Sequence, residues 1–301
     1  MSSSPRSSEP NPTTRVVGSQ LAARLRRQLD FVARGLLLAL LAALITAPAP
    51  ARSSASAESQ SDQKAAEQEL GAALYDNLKA QRVIVESSPL YEVLTPISSA
   101  IVRVAQPRYY LPMKVWLIHS AQPNAFATPG GNIFVTDELL YFVKNREELA
   151  GTLCHEVSHL IHGDSMELAE KQSRLMLREI GATILLGPSA ANVLAVTLIG
   201  KLQSLRYSRE VESRADLTGA DVCASAGYNP WGLVWLFGAF ENTKSTERPE
   251  FLSDHPDNDT RIEALKQYFA SNPQRFGGFS SQLSSASSIA VPEKAPVVFL
   301  R

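Results

Sequence analysis

The pentapeptide His155-Glu156-Val157-Ser158-His159 constrains this chain more than any other stretch. Its two imidazoles stand at i and i+4, so a helix places both on one face, where they can grip one ion together. Glu156 stands about 100° round such a helix. There it can reach a water on the ion without binding the ion itself. This is the minimum constellation for a zinc-activated water, and it requires the segment to be helical.

The flanking residues predict that helix. Asn145 is a suitable cap, and Glu148 follows three residues later in a box-like arrangement. Leu149, Leu153 and Leu160 supply apolar positions, and Gly163 is a good stop. Upstream, residues 58–82 and 89–104 carry helical patterns. Short strands are expected at Lys114–Ile118, Ala125–Thr128 and Asn132–Val135, with Pro129-Gly130-Gly131 turning the last two against each other. Thr136 caps a helix from Asp137 to Val143. Downstream, helices are expected over 202–226, from Asn229-Pro230 to Asn242, and over about 259–271, where Asn272-Pro273 ends the last. The pattern describes a mainly α, α+β domain over 58–272. The Ser-rich segment 273–301 reads as a loosely held tail.

The net charge of −1 hides an asymmetry: residues 1–52 hold seven arginines against Glu9 and Asp30, and the remainder is mildly acidic. An acidic body gives no basic face for nucleic acid. The basic start leads into thirteen uncharged residues, Gly35–Ala47, and then into small residues and prolines. Residues 1–57 therefore read as a signal segment for export. A retained membrane anchor, a twin-arginine signal at Arg26-Arg27 and an organelle (mitochondrial) transit peptide are the alternatives. The uncharged stretch 180–199, broken by Gly187-Pro188, reads as buried half-helices or as a contact with a membrane surface. Two cysteines are present, Cys154 and Cys223. An oxidising compartment would permit a bridge between them, and two buried thiols are the other reading.

A catalytic zinc wants three protein ligands and one open position. The chain has five histidines. His162 shares the helical face of His155 but lies higher along the helix than His159, and it reads as a cation at a helix C-terminus. His119 lies on a strand pattern and reads as structural. Two glutamates on later helices can complete the set: Glu179, and Glu212 within Tyr207-Ser208-Arg209-Glu210-Val211-Glu212-Ser213-Arg214-Ala215-Asp216. Glu212 is favoured because Asp216, at i+4, can accept the outer N–H of a ligand histidine and so fix its tautomer. Glu179 has no such companion.

HExxH, the downstream ExxxD, Asn124-Ala125-Phe126-Ala127-Thr128-Pro129-Gly130-Gly131 and the late Asp254-His255-Pro256…Arg261-Ile262 together resemble the M48 family of zinc metallopeptidases. The resemblance covers roughly residues 85–270. It implies a zincin-like domain with a small antiparallel sheet and one Zn(2+) per chain on His155, His159 and Glu212. It further implies Glu156 as general base and Asp216 behind the ligands. His255 would approach the site, either to stabilise an oxyanion or to block the open position, and Tyr207 is a second candidate for the oxyanion. Asn124, Ala125 and Phe126 lie on the strand that would align an extended substrate by backbone pairing. Unfolded or extended polypeptide is the expected substrate. A zinc-fold binding module with little proteolysis is the alternative, and the intact Glu156 favours the enzyme.

Overall fold

The computed structural model describes residues 57–172, 207–241, 251, 255, 258–293 and 295–300. All of these lie in one compact unit, Pro50–Gln172 with Thr197–Arg301. The expected signal segment (all but its last residue), the apolar stretch 180–199 and Glu179 lie outside the described residues.

Helix α1, Ala57–Ala80, buries Leu74 and Leu78. It packs on the Pro129–Gly131 turn so closely that a Cβ on Gly71 would stand 2.3 Å from the Pro129 carbonyl oxygen. Strand β1, Val85–Ser87, precedes α2, Leu90–Ala105. The buried residues of α2 (Leu90, Leu94, Ile97, Ile101, Ala105) follow helical spacing and form one apolar stripe.

Strands β2 (Lys114–Ile118), β3 (Ala125–Thr128) and β4 (Asn132–Thr136) form a sheet in the order β2-β4-β3. The Pro-Gly-Gly turn works as expected: Gly130 and Gly131 take φ of 83° and 85°, which L side chains avoid. β3 is antiparallel to β4, whereas β2 runs parallel to it, so the sheet is mixed rather than purely antiparallel. Its two faces differ. Phe126 and Phe134 lie against the α1 side, while Ala125, Ala127, Ile133 and Val135 join the main core.

Helix α3, Asp137–Phe142, starts at Thr136, whose hydroxyl accepts from Leu139 N–H. Helix α4, Arg146–His162, carries the HExxH pentapeptide. Asn145 Oδ1 accepts from Glu148 N–H at 2.9 Å, and Glu148 returns contacts to Lys144 N–H and Asn145 Nδ2. Gly163 closes the helix at φ 73°. Helix α5, Arg209–Ser225, begins at Ser208, whose hydroxyl accepts from Val211 N–H. Ser208 is extended, so of the helix expected over 202–226 the described part begins at Arg209, and residues 202–206 lie outside the described residues. A serine that caps the next turn competes with helical continuation. Helices α6 (Trp231–Glu241), α7 (Asn258–Ser271) and α8 (Pro273–Phe276) complete the helical layer. Among the described residues, no helix is long and apolar enough to cross a membrane.

α4 is buried over most of its length and packs on α2, α5 and α6. Gly219 of α5 lies where a Cβ would be 3.0 Å from the Cys154 carbonyl oxygen, which lets the two helices approach. A disulfide joins Cys154 of α4 to Cys223 of α5, with Cα atoms 5.7 Å apart.

The expected loose tail is instead a strap. Asn229 and Trp235 side chains donate to the Ser280 and Ser281 carbonyls. The Ser287 carbonyl accepts from Arg146 N–H, and Ser287 N–H donates to Glu147. Strand β5, Val298–Phe299, then pairs antiparallel with β1. Serine content misleads here because main-chain groups, not side chains, make most of these bonds.

The disulfide closes a 69-residue separation between the two helices that carry the candidate ligands. Replacing both cysteines with alanine is expected to lower unfolding free energy by about 4 kcal/mol. A urea titration with an unchanged midpoint would show that the bridge adds nothing.

Candidate metal centre

The described fold brings His155, His159, Glu212 and His255 together, with one ligand atom from each lying within 4.8 Å of all the others. All four are buried. His155 and His159 project from one face of α4 and point Nε2 at Nε2 across 3.1 Å. Glu212, in the first turn of α5, places Oε2 at 3.4 Å from His155 Nε2 and Oε1 at 3.8 Å from His159 Nε2.

A carboxylate stands behind each imidazole. Asp216 Oδ1 is 2.9 Å from His155 Nδ1, and Asp164 Oδ2 is 2.9 Å from His159 Nδ1. In these bonds each Nδ1 keeps its proton and donates it to the carboxylate, which leaves both Nε2 lone pairs facing the cluster. Arg261 grips Asp216 through Nε (2.7 Å) and Nη2 (2.6 Å), stands 2.9 Å from Glu212 and lies over the Phe237 ring. It also donates to the His255 carbonyl at 3.1 Å. Asp164 pairs with Arg214.

The donor set fits a cation. Two nitrogens bound tetrahedrally to an ion of zinc size stand about 3.3 Å apart, close to the 3.1 Å observed. Glu212 Oε2 is buried and accepts no well-aligned hydrogen bond within the chain, although Arg261 is near. Two inward lone pairs and a carboxylate oxygen crowd one another, and a cation among them would relieve that repulsion.

Without an ion, a proton takes that place. Burial disfavours charge on His155, but hydrogen bonds to Asp216 and Glu212 outweigh it and push its imidazole up to about 9. Burial holds His159 below its ordinary value, reinforced by the neighbouring His155 charge against the opposing bond to Asp164. His155 Nε2 faces both Glu212 Oε2, at 3.4 Å, and His159 Nε2, at 3.1 Å. Burial also opposes ionisation of Glu212, but the charges of His255 and Arg261 keep it well below the usual carboxylate range.

Glu156 flanks the cluster. Its Oε2 accepts from Ala127 N–H at 2.9 Å, and its Oε1 is 3.4 Å from His255 Nε2. His255 Nδ1 stands 3.2 Å from His155 Nε2 and 2.9 Å from Glu212 Oε1, a fourth position round the set. Tyr207 stacks on His159 with ring centroids 4.1 Å apart.

The other expected residues divide. Asn124, Ala125 and Phe126 lie at the edge of the sheet beside α4, but the Phe126 ring packs on Phe134, on the face away from the cluster. His162 bonds Thr218 of α5, and His119 bonds Asp137. Arg261, named above only within the late motif, holds two acids and the His255 backbone. Asp164 was not anticipated. Its signal is a carboxylate five residues past His159, just beyond the Gly163 cap. The Ala127 amide has no sequence signature.

A model of peptidase family M48 matches residues 92–269. The mitochondrial metalloendopeptidase OMA1 of Saccharomyces cerevisiae is 27% identical over 164 residues, covering 51% of this chain and 47% of that protein. The beta-barrel assembly-enhancing protease of Yersinia pestis is 32% identical over 161 residues, covering 50% and 33%. Its Escherichia coli counterpart is 29% identical over the same length. The chain thus spans between about a third and half the length of these curated relatives.

The raised His155 value sets a sign. At pH 7 the ion-free site holds a proton that a divalent cation must displace, so cation uptake releases about one proton and affinity rises with pH until about pH 9. Calorimetry in buffers of different ionisation enthalpy reads the proton count, and a count of zero at pH 7 contradicts the raised His155 value.

Proposed function

The chain belongs to peptidase family M48, and from that premise we propose that it is a zinc-dependent endopeptidase acting on unfolded or extended polypeptide. One observation carries this reading: a buried His155, His159 and Glu212 set with the Glu156 carboxylate alongside. Zinc held by these three residues would polarise the scissile carbonyl and make an attacking water acidic enough to ionise near neutral pH.

The chain supplies the rest. Glu156 accepts the proton of the attacking water and returns it to the leaving amine nitrogen. Asp216 and Asp164 hold the two imidazoles in the tautomer that offers Nε2. Arg261 keeps Asp216 and Glu212 ionised in a dry setting. Strand β3, at the sheet edge beside α4, offers main-chain groups to an extended substrate. Backbone pairing beside small Ala125 and Ala127 side chains implies weak side-chain selectivity.

His255 fills the fourth position in this arrangement, 2.9 Å from Glu212 and 3.2 Å from His155. We read it as a block that must withdraw before substrate enters, in preference to an oxyanion donor. Arg261 ties both the His255 backbone and the carboxylates, so it sets the rest position of the block.

The Cys154–Cys223 bridge supports folding in an oxidising compartment, such as the exterior of a bacterial inner membrane or the mitochondrial space where one relative is named. Clearance of damaged envelope proteins is the role we propose there. A binding module that keeps the zinc fold is the second reading, and Glu156, placed beside His255 at the fourth position of the set, favours hydrolysis.

Glu156→Gln is expected to keep one zinc per chain and to lower casein cleavage by about a hundredfold or more. Cleavage at the wild-type rate would remove Glu156 from its role. His255→Ala is expected to raise cleavage of the same substrate, and a fall would favour the oxyanion assignment.

A further inference from the structure

Strand β3 is the outer strand of its sheet. Thr136 N–H donates to the Asn124 carbonyl at 2.9 Å, which makes these two residues a hydrogen-bonded pair. Alternation along an antiparallel ladder makes Phe126 and Phe134 the next such pair. Ala125 and Ala127 therefore turn their peptide groups away from β4, towards the open edge.

An edge N–H ordinarily waits for water or another strand. The Ala127 N–H does neither. It donates to Glu156 Oε2 at 2.9 Å, and both groups are buried. The methyl side chain of Ala127 belongs to the core on the α4 side, which lets β3 lie close enough for this bond. The other oxygen of Glu156 is buried without a hydrogen-bond partner in the chain, and His255 Nε2 is 3.4 Å away. One oxygen is thus tied to the strand, and the other is left towards the ligand cluster.

A glutamate on a helix has several rotamers within reach. A charge-assisted bond from a rigid main-chain donor selects one of them. The strand carrying the donor is itself fixed. It runs into the Pro129–Gly131 turn, on which Gly71 of α1 packs with no room for a Cβ.

We propose that the Ala127 main-chain N–H is a positioning group for Glu156, holding its carboxylate so that one oxygen faces the reacting water. This rests on the reading of Glu156 as general base. It assigns β3 two separate tasks. Ala125 and the Ala127 carbonyl remain for the substrate, while the Ala127 N–H stays with the base. An extended substrate accordingly aligns without that donor.

Replacing Ala127 in the full chain by lactic acid turns its N–H into an ester oxygen and changes little else. With zinc loaded and casein as substrate, kcat is expected to fall about tenfold or more, as loss of a hydrogen bond to a charged group implies, while KM and zinc content stay unchanged. A raised KM at unchanged kcat would assign the N–H to substrate and overturn the proposal, as would two unchanged constants. A second measurement needs no turnover. In full-length protein labelled with 15N-alanine, the Ala127 amide proton should resonate downfield and move upfield in Glu156→Gln. An Ala127 resonance indifferent to that substitution overturns the proposal even if the ester protein does not fold. Wild-type protein without casein cleavage would instead refute the peptidase reading, and the resonance test would still decide whether the amide holds the carboxylate.

Discussion

Charge balance inside a dry pocket governs this structure. Glu156, Glu212, Asp216 and Asp164 are all buried, and Arg261 and Arg214 are the guanidinium groups paired with them. Carboxylates outnumber guanidinium groups in this cluster, and a divalent cation would offset that excess. Isolated buried carboxylates are costly, and they are tolerated only when paired and hydrogen-bonded. The helices α4 and α5 are therefore held together by more than apolar contact: each contributes part of a cluster that neither can neutralise alone. The disulfide and the close passage of Gly219 bring the backbones near enough for that cluster to form.

Much of this was legible because it is local. HExxH announces its own geometry, and Asn145, Glu148 and Gly163 mark the ends of its helix through short-range hydrogen bonds. Glu212 and Asp216 share a helical face, and that spacing singled them out over Glu179. The strands and the Pro-Gly-Gly turn followed from β-branched and turn residues. What escaped was of two kinds. The Ala127 amide and the Ser287 main chain act through groups that every residue carries, so no residue type points to them. Asp164, five residues past His159, is held in turn by Arg214 fifty positions on, which spacing within one element cannot reveal. The start of α5 at Arg209 was missed for a third reason: helical periodicity persists in the sequence across Ser208, the residue that caps it.

The edge of the sheet and the HExxH helix form one unit rather than two neighbours. β3 touches α4 through small side chains on one face, while the aromatic residues of the same strands anchor the other face on α1. That division keeps bulky groups away from the cluster and still fixes the strand rigidly. Rigid elements position reacting groups more accurately than loops do.

The strap from Ser280 to β5 carries a consequence for biogenesis. Ser287 meets Arg146 and Glu147 at the start of α4, and Phe299 meets Val85, so β1 and α4 are tied to a segment made late in sequence. His155 likewise finds His255 one hundred positions downstream. Contacts of such separation form slowly, because long stretches of chain must close before any stabilisation accrues. Synthesis must pass Phe299 before these contacts can all close, so β1 and the start of α4 wait for the late strap that finishes the described domain.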